Sequence, residues 1–355
     1  MAARLNSVQV LRAVAVLMVL QVHLFPEFPY WGRPLDGGFG VDLFFIISGF
    51  VIAGSLAQVE SRTGAVHFLI NRFSRVAPYY WLVTLGLAFG LAHIGYPVER
   101  EKLLRSLLFY PIDPHPILAG GWTLCHEAFF YVFYGLCALV LGKGLVRLTT
   151  LLFLIVLVAV HFIPGHSYPL EFLKSSMNLY FVVGAAISMG GERLLEVFRR
   201  PFALPAAVLL MLVAALYCGS RGLGVPTAHD FFLSTYARDV VDIRVSFVQP
   251  GFPRAFVFGL PAALLLLCCL AREDLFKSEK WRFWLKIGDA SYSIYLLQGL
   301  FLTLVVINVA NHRPLSRLLM LGVIVSVSIL LSRAVEARLI RATKWLLKLL
   351  VPRRS

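Results

Sequence analysis

Two residues eleven apart set the chemical question. Arg12, a permanent cation, and His23, a titratable ring, interrupt the apolar run RAVAVLMVLQVH. On an α-helix eleven steps return to nearly the same face, roughly 16 Å farther along the axis. A stripe with a guanidinium at one end and an imidazole at the other suits a site that grips an anionic carrier and does proton chemistry at a distance from the grip. Plainer uses stand beside that one: Arg12 can snorkel to lipid headgroups, and His23 can be an interfacial ring with a satisfied hydrogen bond.

Other polar residues share the apolar surroundings. NRFSRVAPYYW puts Arg72 and Arg75 three residues apart, on one face if a helix already runs there. Two guanidinium forks suit the phosphates of a nucleotide-like carrier and equally suit headgroups; Pro78 fits the first turn of the membrane helix that follows. GGWTLCHEAFFYVFYG offers a flexible hinge at Gly120 and Gly121, then Trp122, Thr123 and Glu127. A carboxylate inside a membrane span is costly unless paired or used, and Glu127 beside His23 could fix the ring's tautomer or share its proton. GFGVDLFFIISGFVIAGS carries Asp42 and Ser48, with Gly49 and Gly54 allowing close helix contact. No nucleophile elbow surrounds Ser48, so hydrogen bonding or packing is its expected use. In IGDASYSIYLLQ, Asp289 is expected to cap a helix, with Ser291, Tyr292 and Tyr295 behind it.

The elements that must position these groups follow from composition. The chain has 355 residues, 59% hydrophobic and 15% charged, with mean hydropathy +0.79. That balance calls for lipid as solvent. About ten transmembrane helices are expected, near residues 8–25, 39–57, 78–95, 124–141, 148–163, 177–190, 203–219, 255–271, 287–307 and 315–335. The first is expected to remain uncleaved, since it holds Arg12 and His23 and no small-residue cleavage site follows. With the N-terminus inside, cytoplasmic segments hold about twice the Lys and Arg of the opposite set, which places both termini in the cytoplasm. The formal charge of +14 therefore reads as membrane orientation rather than nucleic-acid binding. The expected architecture is an all-α, polytopic helical bundle, a single domain over 1–355 with a basic cytoplasmic tail at 336–355. Five cysteines in or beside apolar spans, without CxxC spacing, read as buried small side chains rather than disulfides or a metal site. Two external connections stand out: 96–121, whose amphipathic EKLLRSLLFYPI lies at the interface or folds back into the bundle, and the long 220–254 loop.

Taken in order, these pieces resemble the acyltransferase-3 family of bacterial integral membrane O-acyltransferases, nearest its exopolysaccharide-production branch. The resemblance rests on Arg12 with His23, GVDLFFIISGF at 40–50, RFSR and PYYW at 72–81, GGWTLCHEAFFY at 120–131 and GDASYSIYLLQ at 288–298. It implies transfer of an acyl group, commonly acetyl, from cytoplasmic acyl-CoA to a hydroxyl of an envelope glycan, in the bacterial inner membrane. It marks Arg12 and His23 as functional, puts Arg72 and Arg75 on the donor side and includes Trp122 and Glu127. Two departures limit it: Gln298 stands where many relatives have His, and EARLIR in the tail lacks a proline that often follows its acid. No hydrolase-like domain is expected after the tenth span, so transfer is expected within the bundle or with a partner such as a polysaccharide assembly protein.

The mechanism expected on this footing has Arg12, Arg72 and Arg75 holding the phosphates of acetyl-CoA or another acyl-CoA, with no metal. His23 acts as general base on the acceptor hydroxyl, oriented by Glu127. Substrate or oxyanion contacts fall to Asp42, Ser48, Trp122, Thr123 and Tyr292. The acceptor, a glycan that could be lipid-linked, is expected near the 220–254 loop, where Phe231, Phe232, Tyr236 and Phe247 can stack on sugars or anchor at the interface. The rival reading is a transporter or flippase for an anionic solute or glycan precursor, in which the same stripe lines a conduction path.

Overall fold

A computed structural model describes residues 4–24, 38–112, 115–220, 258–306 and 314–349. Among them the chain is helical, with no strand. The long elements are α1 (Asn6–Leu24), α2 (Gly38–Leu56), α3 (Arg62–His93), the short α4 (Arg100–Leu107), α5 (Gly121–Leu141), α6 (Val146–Ala159), α7 (Tyr168–Lys174), α8 (Met177–Phe198), α9 (Ala203–Ser220), α10 (Leu260–Leu270), α11 (Arg282–Asp289), α12 (Ser291–Val306), α13 (Pro314–Leu331) and α14 (Ala337–Leu349). A π-helical turn, Ser332–Glu336, joins α13 to α14.

Among the described residues, four stretches are long and apolar enough to cross a membrane: Phe39–Leu56, Arg62–His93, Gly121–Leu141 and Ser316–Leu349; the shorter apolar helices are Asn6–Gln21, Val146–Phe162 and Leu260–Leu270. Each expected span near 8–25, 124–141 and 203–219 coincides with one helix, the span near 315–335 takes in α13 and most of the π-helical turn after it, and two others differ in kind. The third span is not a helix beginning near Pro78. Ser61 takes an extended conformation and its Oγ accepts the Gly64 N–H at 3.1 Å, so α3 starts at Arg62 and carries Pro78 in its interior. A proline there removes one helical hydrogen bond, a loss that membrane helices tolerate because neighbouring groups re-satisfy the freed backbone. The ninth span is broken at Ala290 into α11 and α12.

Asp289 is accordingly not the expected cap of that span: it closes α11 and pairs with Arg4 at 2.8 Å. The start of α1 is capped from a distance. Both Glu273 carboxylate oxygens accept from the first turn, from Asn6 N–H at 2.6 Å and Ser7 N–H at 3.0 Å, and Asn6 Nδ2 donates to the Phe276 carbonyl at 3.2 Å. An acid at this end satisfies orphan donors and complements the helix dipole.

The core is built around α2, which packs against α1 on one side and α8 on the other. At the α2–α8 crossing a Cβ added at Gly49 would lie 2.3 Å from the Phe181 carbonyl oxygen, and one at Gly184 would lie 2.0 Å from that of Ile46. The two backbones touch, the close contact expected of small residues between membrane helices. Gly54 is looser, with its nearest neighbour at 3.4 Å. The amphipathic connection folds back: Trp81 Nε1 in α3 donates to Leu107 O at 2.7 Å, and buried Ser106 accepts the Ile117 N–H at 3.0 Å. The 220–254 loop, with Phe231, Phe232, Tyr236 and Phe247, lies outside the described residues apart from Ser220, which ends α9.

Candidate active site

A cavity opens between α1, α2, α3, α5 and α12, with about 820 Å³ of non-atom space including its mouth. Of the residues expected to act, it is lined by Arg12, Ser48, Arg72, Arg75, Thr123, Glu127 and Tyr292. These come from positions as far apart as 12 and 292, so the bundle gathers what the sequence scatters. His23 belongs to α1, and its side chain lies outside the described residues. The unbroken helix keeps positions 12 and 23 roughly 16 Å apart along one axis.

Arg12 is fixed by α12. Its Nε and Nη2 both donate to Ser291 Oγ, at 3.1 and 2.9 Å, and Ser291 is completely buried. Because α3 already runs at residue 62, Arg72 and Arg75 do share a helical face. Arg72 Nη2 donates to Ser55 Oγ and its guanidinium lies 5.5 Å from the Phe68 ring centroid, while its Nε is buried with no hydrogen-bond partner among the described residues. None of the three arginines has a carboxylate within ion-pair distance among the described residues.

Among the described residues the single acid lining the cavity is Glu127. Its Oε1 accepts from Ser48 Oγ of α2 at 3.0 Å and from the Tyr131 hydroxyl one helical turn along α5. Three cationic groups against one carboxylate leave the cavity with a positive surplus, and an anion 4 Å from one such group gains about 4 kcal/mol at an effective dielectric of 20.

The hydroxyls expected to serve an oxyanion are mostly engaged. Ser48 donates to Glu127, and Tyr292 donates to the Val76 carbonyl at 2.7 Å. Thr123 Oγ1 and Tyr295 OH lie 2.8 Å apart and both reach the Gly120 carbonyl, at 2.9 and 3.1 Å. Gly120 and Gly121 are therefore not a hinge. Gly120 is in ordinary right-handed helical conformation; a Cβ on it would lie 3.1 Å from the Tyr295 ring, and one on Gly121 would lie 2.7 Å from the Tyr80 hydroxyl. An added methyl on Gly121 would have to displace the buried Tyr80 hydroxyl, and one on Gly120 would crowd the Tyr295 ring.

Two expected residues do not reach the cavity. Asp42 is fully buried in α2 away from it. Trp122 packs edge-on against Phe45 and His126, with centroids 6.3 and 5.9 Å away. His126 itself is structural: it stacks on Phe172 at 4.0 Å and its Nδ1 lies 2.8 Å from Asn178 Oδ1. Asn178 Nδ2 is spent on the Phe172 and Leu173 carbonyls at 3.0 and 3.1 Å, so the network assigns the Nδ1 proton to His126 as donor.

Sequence reasoning missed the partners. Tyr131 sits four residues after Glu127, the spacing that juxtaposes side chains on a helix, and that signal was available. Glu336, the first residue of the expected basic tail, is buried on the π-turn and accepts from Ser293 Oγ at 2.5 Å. π-Turns are frequent near functional sites, but no local pattern in SRAVEARLIR announces one.

Residues 5–333 match the family model of an acyltransferase domain, the third acyltransferase family. Among curated proteins the chain is 36% identical over 107 residues to the exopolysaccharide production protein ExoZ of Rhizobium meliloti (strain 1021), covering 28% of this chain and 33% of that protein. It is 31% identical over 144 residues to a putative O-acetyltransferase of Staphylococcus aureus (strain COL), 35% of this chain and 23% of the relative. To the peptidoglycan O-acetyltransferase OatA of Listeria monocytogenes it is 29% identical over 136 residues, 37% of this chain and 20% of the relative. The chain thus spans a third or less of these relatives. No solved structure matches it.

Proposed function

The chain belongs to the acyltransferase-3 family, and from that premise we propose that it is a membrane-embedded O-acyltransferase. It moves an acyl group, acetyl in the simplest case, from cytoplasmic acyl-CoA to a hydroxyl of an exopolysaccharide or other envelope glycan, in the bacterial inner membrane. The observation that carries this reading is the shared cavity of Arg12, Arg72, Arg75 and Glu127: a cationic basin for a phosphate-bearing donor next to a half-buried acid held by two hydroxyls.

In this reading the guanidiniums bind the 3'-phosphate and pyrophosphate of CoA, for which their forks are suited. The thioester then lies toward Glu127. The acceptor oxygen bonds to the thioester carbonyl carbon, the C–S bond breaks, and the hydroxyl proton passes to the base and from it to the departing thiolate. His23 is the base and Glu127 orients it or relays the proton, a division that typically contributes about 10²- to 10⁴-fold. With Ser48 and Tyr292 donating elsewhere, the donor best placed for the oxyanion is the Thr123–Tyr295 hydroxyl pair once a substrate displaces one of its bonds to Gly120.

The test is transfer by the purified full chain, reconstituted in lipid with labelled acetyl-CoA and an envelope glycan fraction. Label appearing in the glycan, and lost in Glu127→Gln and His23→Ala, supports the reading. Solute movement across the bilayer without any acylated product would overturn it in favour of a transporter.

A further inference from the structure

The cationic basin does not end at the cavity wall. α14 packs along α3, the helix that carries Arg72 and Arg75. On α14, Arg341, Lys344 and Lys348 recur at spacings of three and four residues and so form one stripe. Arg341 and Lys348 are exposed, whereas Lys344 is half-buried, at the edge of the face turned to α3. There it stands within electrostatic reach of both Arg75 and Arg72.

This grouping is unfavourable by itself. Like charges on neighbouring helices repel, and none of Arg72, Arg75 and Lys344 has a carboxylate at ion-pair distance among the described residues. Arg72 adds a buried Nε with no partner among them. Two guanidiniums, of which Arg72's is held by Ser55, and an ammonium on a flexible stem match a ligand with more than one phosphate: the forks orient, and the ammonium follows as a point charge. Trp345, four residues after Arg341 and three before Lys348, lies beside that stripe on the exposed side of α14, next to exposed Leu346 and Leu349, so the helix can sit at the membrane surface with its aromatic and basic groups together at the headgroups.

We propose that α14 forms the cytoplasmic rim of the donor site and that Lys344 is a further donor-binding residue, contacting a phosphate of the CoA nucleotide beyond those held by Arg72 and Arg75. This rests on the acyl-CoA reading above and assigns the tail a binding role.

The test is direct titration of CoA, 3'-dephospho-CoA and pantetheine into the full chain in nanodiscs of neutral phosphatidylcholine, for wild type, Lys344→Ala and Lys344→Arg. Losing one charge-assisted contact should weaken CoA about tenfold in Lys344→Ala, with Lys344→Arg recovering most of it and pantetheine unaffected in all three. Equal unfolding temperatures without ligand would show that the variants fold. Unchanged CoA affinity in Lys344→Ala, or equal weakening of pantetheine, would overturn the assignment alone. An effect seen only in discs containing anionic phosphatidylglycerol would give Lys344 to a lipid headgroup and overturn it too. A wild type that binds no CoA would overturn the acyl-CoA reading, and this inference with it.

Discussion

Arg12 and Ser291, 279 residues apart in sequence, are joined by two hydrogen bonds from one guanidinium to one buried hydroxyl. The contact anchors the cation of the first helix to the start of α12 and fixes where its remaining donors point. Arg12→Lys keeps the charge but loses the fork. Donor KM should rise at least tenfold, with kcat changed less. Ser291→Ala should raise donor KM a few-fold, and steady-state kinetics against acetyl-CoA distinguish the two.

Glu127 is held by Ser48 and Tyr131. Glu127→Gln should lower kcat by about 10²- to 10⁴-fold at little cost in donor affinity. Tyr131→Phe retains the ring and removes the hydroxyl, so kcat should fall about tenfold, the worth of about 1.4 kcal/mol, with donor KM unchanged. A matching rise in donor KM would show that Tyr131 acts on the binding end instead.

The α2–α8 crossing admits no added atom. Gly49→Ala places a methyl against the Phe181 backbone and Gly184→Ala places one against Ile46; neither backbone can turn aside as a side chain can. Each substitution should destabilise the protein by about 3 kcal/mol or more, read as a lowered unfolding temperature with a thiol-reactive dye reporting the buried Cys125 and Cys268. Gly54→Ala, with its nearest neighbour at 3.4 Å, should be near neutral.

His115 lies in the connection between α4 and α5, buried, with Nδ1 2.6 Å from the Pro116 carbonyl. Burial pushes its pKa down from 6.5 to about 4, opposed in part by that carbonyl and assisted by Lys102. Between these values the unfolded chain binds a proton that the folded chain refuses, so stability is full above pH 6.5 and falls as pH drops toward 4. At pH 5 the loss is about 2 kcal/mol. His115→Gln should flatten the fall in unfolding temperature between pH 7 and pH 5 relative to wild type; an unaltered slope would exclude His115 as its source.

How much of this was legible in the sequence depended on whether a residue conflicted with its surroundings. Arg12, Arg72, Arg75 and Glu127 are ionisable groups in apolar runs, which is why they could be singled out and why they meet in one cavity. Tyr295 is an aromatic residue in an aromatic-rich helix and nothing local marks its hydroxyl as part of the site, whereas Tyr131 is marked only by its i+4 spacing from Glu127. Asp42 and Trp122 carried equally loud signals and went elsewhere, because burial in a helix packed on both sides can satisfy a polar group without exposing it to a cavity. Pro78 misled as a boundary: its own preference for a first turn lost to the Ser61 cap nearly five turns earlier. Gly120 and Gly121 suggested looseness, and only the tertiary structure shows the two tyrosines that pack against them.

The backbone contact between α2 and α8 has a consequence for how a bulky acceptor gets in. Two helices that meet carbonyl against α-carbon have no side-chain layer to slide on, so they behave as one stiff plank, and Ser48 rides on it with the Glu127 contact attached. Any breathing that admits the proposed glycan acceptor is left to helices outside this contact, among them α3, which carries a proline in mid-course and whose missing rung supplies a natural flexing point just beyond Arg75.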